Sequence, residues 1–200
     1  MRRALLALLV AALLPLAACT KDDLPGQAKV DVDTPELRLA KKEAGVADCV
    51  PGSGDPVDGG LPGVTLPCLG GGPDVDLSTL RGPMVVNLWA SWCKPCRREL
   101  PLYQRFYEQY GDRVAVLGVD WQDTQPGAAL DLVASSGVTY PLLADPQDDL
   151  SGAGPLPSLR GIPFLALVDV DGRVVHQEFA EITSEDQLVD LANQYLGVTL

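Results

Sequence analysis

Two cysteines at the end of a predicted buried strand constrain this chain more than any other feature. Cys93 and Cys96 follow closely on the largely apolar run 85–89. Such a run is expected of a central strand in a sheet that is covered on both faces. Beyond Cys96, bulky apolar residues recur with the spacing of one helix face: Leu100, Tyr103, Phe106, Tyr107 and Tyr110. The sequence therefore predicts a buried strand, a turn that carries both cysteines, and a helix.

The junction between strand and helix favours redox chemistry at the cysteines. Backbone N–H groups and the positive end of the helix dipole stabilise a thiolate there, and Lys94, Arg97 and Arg98 add positive charge. A thiol in such a place typically has a pKa of roughly 3.5 to 7.5, which makes Cys93 the expected nucleophile. Cys96, one helical turn on, can close a disulfide with Cys93 or resolve a mixed one. A Cys-x-x-Cys alone also occurs as half of a zinc site or as a structural bridge.

The residues around the two cysteines resemble a known family. The run 87–96, followed by 97–101, is similar to the thioredoxin superfamily, and more narrowly to the membrane-anchored TlpA/ResA/DsbE-like thiol-disulfide oxidoreductases. The resemblance spans about residues 63 to 198. It implies an α/β, thioredoxin-like fold with a mixed four- to five-stranded sheet and helices on both faces. It also implies an enzyme that acts on protein thiols and disulfides, draws electrons from a membrane thiol donor, and uses no cofactor and no metal.

The same resemblance assigns roles to residues near the predicted dithiol. It implies a cis peptide bond at Ile162–Pro163, which would let the main chain of Ile162 pair with an extended substrate, with Trp92 also contacting it. An ordinary trans proline at the start of an edge strand is the alternative. Many relatives have a helix before this proline, whereas the glycines and prolines of 152–157 prevent one here. The substrate preference of the surface around this proline therefore stays open.

Glu99 lies three residues beyond Cys96 on the same side of the predicted helix. The resemblance places an acidic residue here, near the dithiol. A partly buried carboxylate with a raised pKa could accept the proton of Cys96 during its attack on a mixed disulfide. A solvated glutamate paired with Arg97 or Arg98 is the alternative.

The N-terminus is typical of a targeting signal. Arg2 and Arg3 precede the apolar run 4–14, which is too short for a comfortable membrane span. The small residues before Cys19 resemble a bacterial lipobox, so we expect cleavage before Cys19 and lipid on that cysteine. An ordinary secretory signal or an uncleaved anchor helix are the alternatives, and either also places the domain outside the cytoplasm. The expected organisation is a signal peptide over 1–18, a flexible tether over 19–45, and a thioredoxin-like domain over 46–200 with an irregular cap over 46–73.

Cys49 and Cys68 remain as a pair in an oxidising compartment. A bridge between them would close a loop of about 20 residues, which the chain-entropy model values at roughly 3 kcal/mol. A second redox couple or a four-cysteine zinc site would need both residues beside Cys93, and nothing in the sequence suggests that arrangement.

Composition bounds the size and the partners of the fold. The chain has 200 residues, of which 46% are hydrophobic, enough for one sizeable core. Its 27 acidic and 15 basic residues give a formal net charge of −12, which repels nucleic acid and anionic lipid headgroups. We therefore expect one globular domain with no nucleic-acid partner. The targeting signal and the family resemblance imply a lipid-anchored protein on the extracytoplasmic face of the bacterial plasma membrane, and we expect it to be a monomer.

Three functions remain to be weighed. The first is a reductase of protein disulfides, for example in cytochrome c maturation, with an oxidase or isomerase of secreted proteins as its variant. The second is a binding lipoprotein in which the Cys93–Cys96 bridge is structural. A peroxidase would instead need an isolated reactive cysteine with Thr and Arg partners. The resemblance favours the reductase, and Lys94 and Pro95 stand where strongly oxidising relatives usually have a histidine. Lys94, Arg97 and Arg98 would instead raise the reduction potential by stabilising the Cys93 thiolate, so these residues alone leave the direction of electron flow open.

Overall fold

The computed structural model describes residues 29–200. The predicted signal peptide and Cys19 lie outside the described residues. Within 29–200, no helix is both long and apolar enough to cross a bilayer. The α-helices are α1 (Pro35–Ala44), α2 (Lys94–Tyr110), α3 (Pro126–Ser136) and α4 (Glu185–Tyr195), and a short 3-10 helix covers Leu77–Thr79. The strands are β1 (Thr65–Leu66), β2 (Val75–Asp76), β3 (Met84–Trp89), β4 (Ala115–Trp121), β5 (Leu142–Asp145), β6 (Phe164–Val168) and β7 (Val174–Glu178).

The main sheet has five strands in the order β5-β4-β3-β6-β7. β3 lies at its centre and every residue of that strand is buried. It pairs in parallel with β4 and antiparallel with β6. This mixed sheet with helices confirms the predicted α/β, thioredoxin-like class. Because β6 runs antiparallel to β3, the start of β6 meets the end of β3, where the Cys-x-x-Cys turn begins.

The two faces of the sheet are covered by different segments of the chain. One core contains buried residues from all four α-helices, including Leu37, Leu100, Leu130 and Leu188. The other core contains no residue of these helices and is closed by the cap and by the loop between β5 and β6. That loop includes the glycines and prolines of 152–157, which cannot form a regular helix.

Residues 29–45, placed by the sequence in a flexible tether, are ordered against the domain. α1 begins with Pro35 after Thr34, whose Oγ1 accepts a hydrogen bond from Leu37 N at 3.3 Å. It ends at Gly45, which has a φ of 72°. Val32 and Leu37 are buried in the helical core, and α1 lies along α3. The domain therefore includes α1, because its apolar side chains need a partner surface.

A disulfide and short β-pairings hold the cap over residues 46–73 in place. Cys49 and Cys68 form a disulfide. β1 and β2 form a small antiparallel ladder, and Cys68 makes a β-bridge with Leu143 of β5. The irregular cap is thus tied to the edge of the main sheet.

Candidate active site

Cys93 and Cys96 lie at the first turn of α2, where β3 ends. Cys93 is the N-cap of this helix, and its Sγ accepts a hydrogen bond from Cys96 N at 3.3 Å. The two residues are joined by a disulfide, and both are buried. A thiolate at Cys93 would occupy the N-terminus of a 17-residue helix, where backbone N–H groups stabilise negative charge. The local sequence suffices for this geometry, because strand, turn and helix are contiguous.

The turn before Cys93 is held from two sides. Ser91 N donates to Asp123 Oδ2 at 2.8 Å. The guanidinium of Arg97 donates to Ser91 O through Nε at 2.9 Å and Nη2 at 2.6 Å. Trp92 is 50% exposed, and its Nε1 donates to Gln122 O at 3.3 Å. Backbone groups of the turn are thereby satisfied, and one large aromatic face is left for a partner.

The positively charged side chains in the first turn of α2 differ in their partners. Arg97 is bound to Ser91 O, as described, and Arg98 forms a two-pronged ion pair with Glu181 at 2.7 and 2.8 Å. Much of the Arg98 charge is therefore compensated by Glu181 rather than directed at Cys93. Lys94 is exposed.

Glu99 lies on α2, one turn beyond Cys96, and its side chain is fully buried. Its Oε1 accepts a hydrogen bond from Ile182 N, and its Oε2 has no hydrogen-bond partner among residues 29–200. Burial raises the pKa of Glu99 to about 7, although the bond from Ile182 opposes that shift. The solvated alternative is wrong, because Arg97 and Arg98 bind other partners and Glu99 is shielded from water.

The segment before β6 completes the site. The Ile162–Pro163 peptide bond is cis, and both residues are half-buried. Since β6 pairs antiparallel with β3, this segment lies at the same end of the sheet as the cysteines. Beside it is a surface groove of about 580 Å³, lined by residues that include Pro157, Arg160, Ile162, Pro163, Phe179 and Glu181. Phe179 is strongly exposed.

Comparison with known proteins identifies the family. The model of the AhpC/TSA family matches residues 57–179, which is more than half of the chain. The chain belongs to the AhpC/TSA family. The matched segment includes the dithiol turn, Glu99 and the cis proline of this family member.

Named relatives and solved structures narrow the similarity. The chain is 33% identical over 119 residues to the thiol-disulfide oxidoreductase ResA of Bacillus thuringiensis, covering 57% of this chain and 65% of that protein. It is 32% identical over 117 residues to the thiol:disulfide interchange protein DsbE of Allochromatium vinosum, covering 56% and 61%. The structure of MTB DsbF in mixed oxidised and reduced forms superposes with a TM-score of 0.60 at 25% identity, covering 69% of this chain and 98% of DsbF. The chain thus spans slightly less than two thirds of the length of these curated relatives.

Two buried carboxyl groups near the turn were not predicted. Asp120, at the end of β4, is paired in register with Trp89. Asp123 lies in the β4–α3 connection and accepts from Ser91 N and from Gln125 N. Burial, with the nearby Asp123 carboxyl, raises the pKa of Asp120. Their position after the carboxyl end of a parallel strand was the available signal, because ligands and active sites gather there in open α/β sheets.

The four described cysteines form two separate pairs. Cys93 and Cys96 belong to the helical core, whereas Cys49 and Cys68 belong to the core on the opposite sheet face. The four-cysteine zinc site is therefore not assembled. Among residues 29–200, no cluster of three or more His, Cys, Asp or Glu residues could hold a metal ion.

Proposed function

We propose that the protein is a thiol-disulfide oxidoreductase that reduces protein disulfides through Cys93 and Cys96. The observation that carries this proposal is the cysteine pair at the N-terminus of α2, at the sheet end shared with the cis Ile162–Pro163 bond. The relatives named ResA and DsbE support the same reaction class.

The chemistry proceeds in two exchanges. The Cys93 thiolate attacks one sulfur of the substrate disulfide, forming a mixed disulfide and releasing the other substrate sulfur as a thiolate, which takes up a proton. Cys96 then attacks Cys93 Sγ, which forms the Cys93–Cys96 disulfide and releases the second substrate thiol. Glu99 has a pKa of about 7 and is deprotonated when the pH lies above that value. In that form it accepts the proton that Cys96 gives up. Two electrons pass from the dithiol to the substrate.

Trp92 and Ile162 position an extended substrate beside Cys93. In this proposal the main chain of Ile162 pairs with the substrate backbone as an added strand, and Trp92 covers the segment that carries the substrate sulfur. The protein acts as a monomer and takes its electrons from a membrane thiol carrier.

Trapping tests the roles of the two cysteines. In Cys96→Ser, the mixed disulfide cannot be resolved, so we expect a stable adduct between Cys93 and a protein substrate, seen by mass spectrometry after acid quenching. Cys93→Ser is the matched control and should trap little. Equal trapping by both variants would contradict the assignment.

The reduction potential tests the direction of electron flow. We expect a value nearer about −270 mV, typical of thioredoxin, with the pair found reduced in cells. A value near about −120 mV with the pair found oxidised would make the protein an oxidase. A value below about −300 mV, with the bridge inert toward protein substrates, would support a binding lipoprotein with a structural bridge.

The anchoring of the protein is part of the proposal. We infer that Cys19 becomes the lipid-bearing N-terminus of an extracytoplasmic protein and that the body stands away from the membrane. Loss of residues 1–18 removes Arg2 and Arg3 and no acidic residue, which takes the net charge from −12 to −14. Metabolic fatty-acid labelling should be abolished in Cys19→Ala and retained in Cys49→Ala. Labelling that persists in Cys19→Ala would exclude the lipobox.

A further inference from the structure

A buried lysine lies against the disulfide of the cap. Lys41, on α1, is only 5% exposed. Its Nζ donates to Gly71 O at 2.8 Å and lies 3.1 Å from Cys68 Sγ. The carboxylate of Asp48 is 3.7 Å away, and that side chain is 92% exposed. An ammonium group is therefore held beside a disulfide sulfur.

This ammonium lacks a strong buried anion while the disulfide is closed. Buried lysines are normally paired with a charge. Lys41 has three N–H donors, yet its buried partners are one carbonyl and one neutral sulfur, and sulfur is a weak acceptor. Burial lowers the pKa of Lys41, and the solvated Asp48 only partly opposes that shift.

The surrounding backbone closes tightly on the lysine and the sulfur. Gly70, Gly71 and Gly72 have φ values of 74°, 89° and 129°, a conformation that other residues rarely adopt. A Cβ at Gly70 would lie 2.7 Å from Lys41 Cβ, and a Cβ at Gly72 would lie 3.3 Å from Cys68 Sγ. The turn therefore needs the absence of side chains to bring Lys41 and Cys68 together.

We propose that Cys49–Cys68 is a second, reducible dithiol–disulfide couple in which Cys68 becomes a thiolate paired with Lys41. The anion that satisfies the ammonium exists only in the reduced form, so the lysine stabilises the reduced form over the disulfide. Stabilising the reduced form makes a disulfide more oxidising, which distinguishes this pair from an inert bridge.

The surroundings of the two sulfurs set the direction of attack. Cys49 and Cys68 are both buried, at 3% and 1% exposure, but Cys49 is followed by Val50, which is 73% exposed, whereas Cys68 precedes the fully buried Leu69. In this proposal a thiol donor approaches Cys49 from the exposed side of Val50, and Cys68 is the leaving group that Lys41 stabilises.

The exchange balances with a dithiol as the electron donor. The first donor thiolate bonds to Cys49 Sγ as the Cys49–Cys68 bond breaks, which leaves Cys68 as a thiolate. The second donor thiolate displaces Cys49, which takes a proton, and the donor becomes a disulfide. Two electrons enter the couple, and one proton is released to solvent. The donor is external, because Cys93 and Cys96 belong to the core on the other sheet face.

The redox equilibrium with dithiothreitol tests the Cys49–Cys68 couple in a protein that lacks the Cys93–Cys96 pair. The full-length Cys93→Ala/Cys96→Ala variant is equilibrated with mixtures of reduced and oxidised dithiothreitol, then quenched and alkylated. The redox state of Cys49 and Cys68 is read by peptide mass spectrometry. The same titration is made with Lys41→Met, which keeps the length of the side chain without its charge. Lys42→Met, at the exposed neighbour, is the matched control.

We expect Lys41→Met to shift the equilibrium toward the disulfide by roughly tenfold or more, the effect of losing one charge-assisted hydrogen bond. Lys42→Met should leave the equilibrium unchanged. Equal equilibria in all three proteins, or reduction that occurs only together with unfolding seen by circular dichroism, would overturn the proposal.

Adduct mapping keeps the test valid if Lys41→Met does not fold. With Lys41 in place, a brief exposure to glutathione, a monothiol, should place the adduct on Cys49 and leave Cys68 free for alkylation, while the circular dichroism stays native. An adduct on Cys68, or none without unfolding, would overturn it.

Discussion

At the scale of single residues, Glu99 is a carboxyl group with an altered affinity for protons. It is fully buried, one of its oxygens accepts a hydrogen bond from Ile182 N, and the other has no partner in the part of the chain that the structure describes. Burial raises its pKa from 4.5 to about 7, so the carboxyl changes charge near neutral pH. A group with this pKa can both accept and return a proton under physiological conditions.

Glu99→Gln should remove a pH dependence of stability. Between pH 4.5 and 7 the folded protein holds a proton that the unfolded chain has lost, so the free energy of unfolding falls as pH rises through this window. The shift corresponds to about 3 kcal/mol. Urea unfolding of the oxidised protein at pH 4 and pH 8 should show that the variant gains up to about 3 kcal/mol relative to wild type at the higher pH.

Glu108→Gln, at an exposed position of the same helix, is the control and should follow the wild-type curve. If Glu99→Gln also follows that curve, the Glu99 carboxyl titrates at its ordinary pKa in the folded protein.

At the scale of elements, the connection between β4 and α3 supports the dithiol turn. Asp123 accepts from Ser91 N across 32 positions of sequence, and Ser91 is buried. The same carboxyl accepts from Gln125 N at the start of α3. One side chain thus satisfies the backbone of two elements and fixes where the turn before Cys93 lies.

Asp123→Ala should destabilise the fold by about 2 kcal/mol, because it leaves the buried Ser91 N–H without an acceptor. Asp123→Asn keeps an acceptor oxygen and removes the charge next to Asp120, so it should be milder. Asp131→Ala, exposed on α3, is the surface control. Chemical unfolding of the three variants gives the order, and equal stabilities for Asp123→Ala and Asp131→Ala would contradict the supporting role of Asp123.

At the scale of the whole molecule, one body carries two cysteine pairs on opposite sheet faces. α1 belongs to this body: Val32 and Leu37 are buried in the helical core, and Lys41 reaches the cap. Residues 29–45, which the sequence places in the tether over 19–45, are therefore packed as part of this body.

A chain that begins at Val46 should be less stable than one that begins at Lys29. Loss of the buried Val32 and Leu37 side chains alone corresponds to about 3 kcal/mol or more. Chemical unfolding of the two chains measures the difference. Within the longer chain, Leu37→Ala should cost about 2 kcal/mol. Leu39→Ala, at a position 56% exposed, should change little. Equal stability of the two chains would show that residues 29–45 act as a tether.

The sequence by itself determined the dithiol strand, turn and helix, because all of their signals are contiguous. The apolar run, the two cysteines and the helical spacing beyond them lie within residues 85–110. The predicted buried strand over 85–89 appears as Met84–Trp89, displaced by one residue at its start. Such shifts occur because periodicity locates an element better than its ends.

Only the tertiary structure decided which polar groups are buried and what they contact. Glu99 meets Ile182 across 83 positions, and Lys41 meets Cys68 across 27. Neither pairing leaves a local pattern, since it depends on how distant segments pack. The same is true of the sheet faces: the sequence shows that 152–157 is not a helix, but only the packed fold shows which face that loop and the cap must cover. Burial is a property of the assembled chain, and the pKa of Glu99 and the environment of Cys68 follow from it.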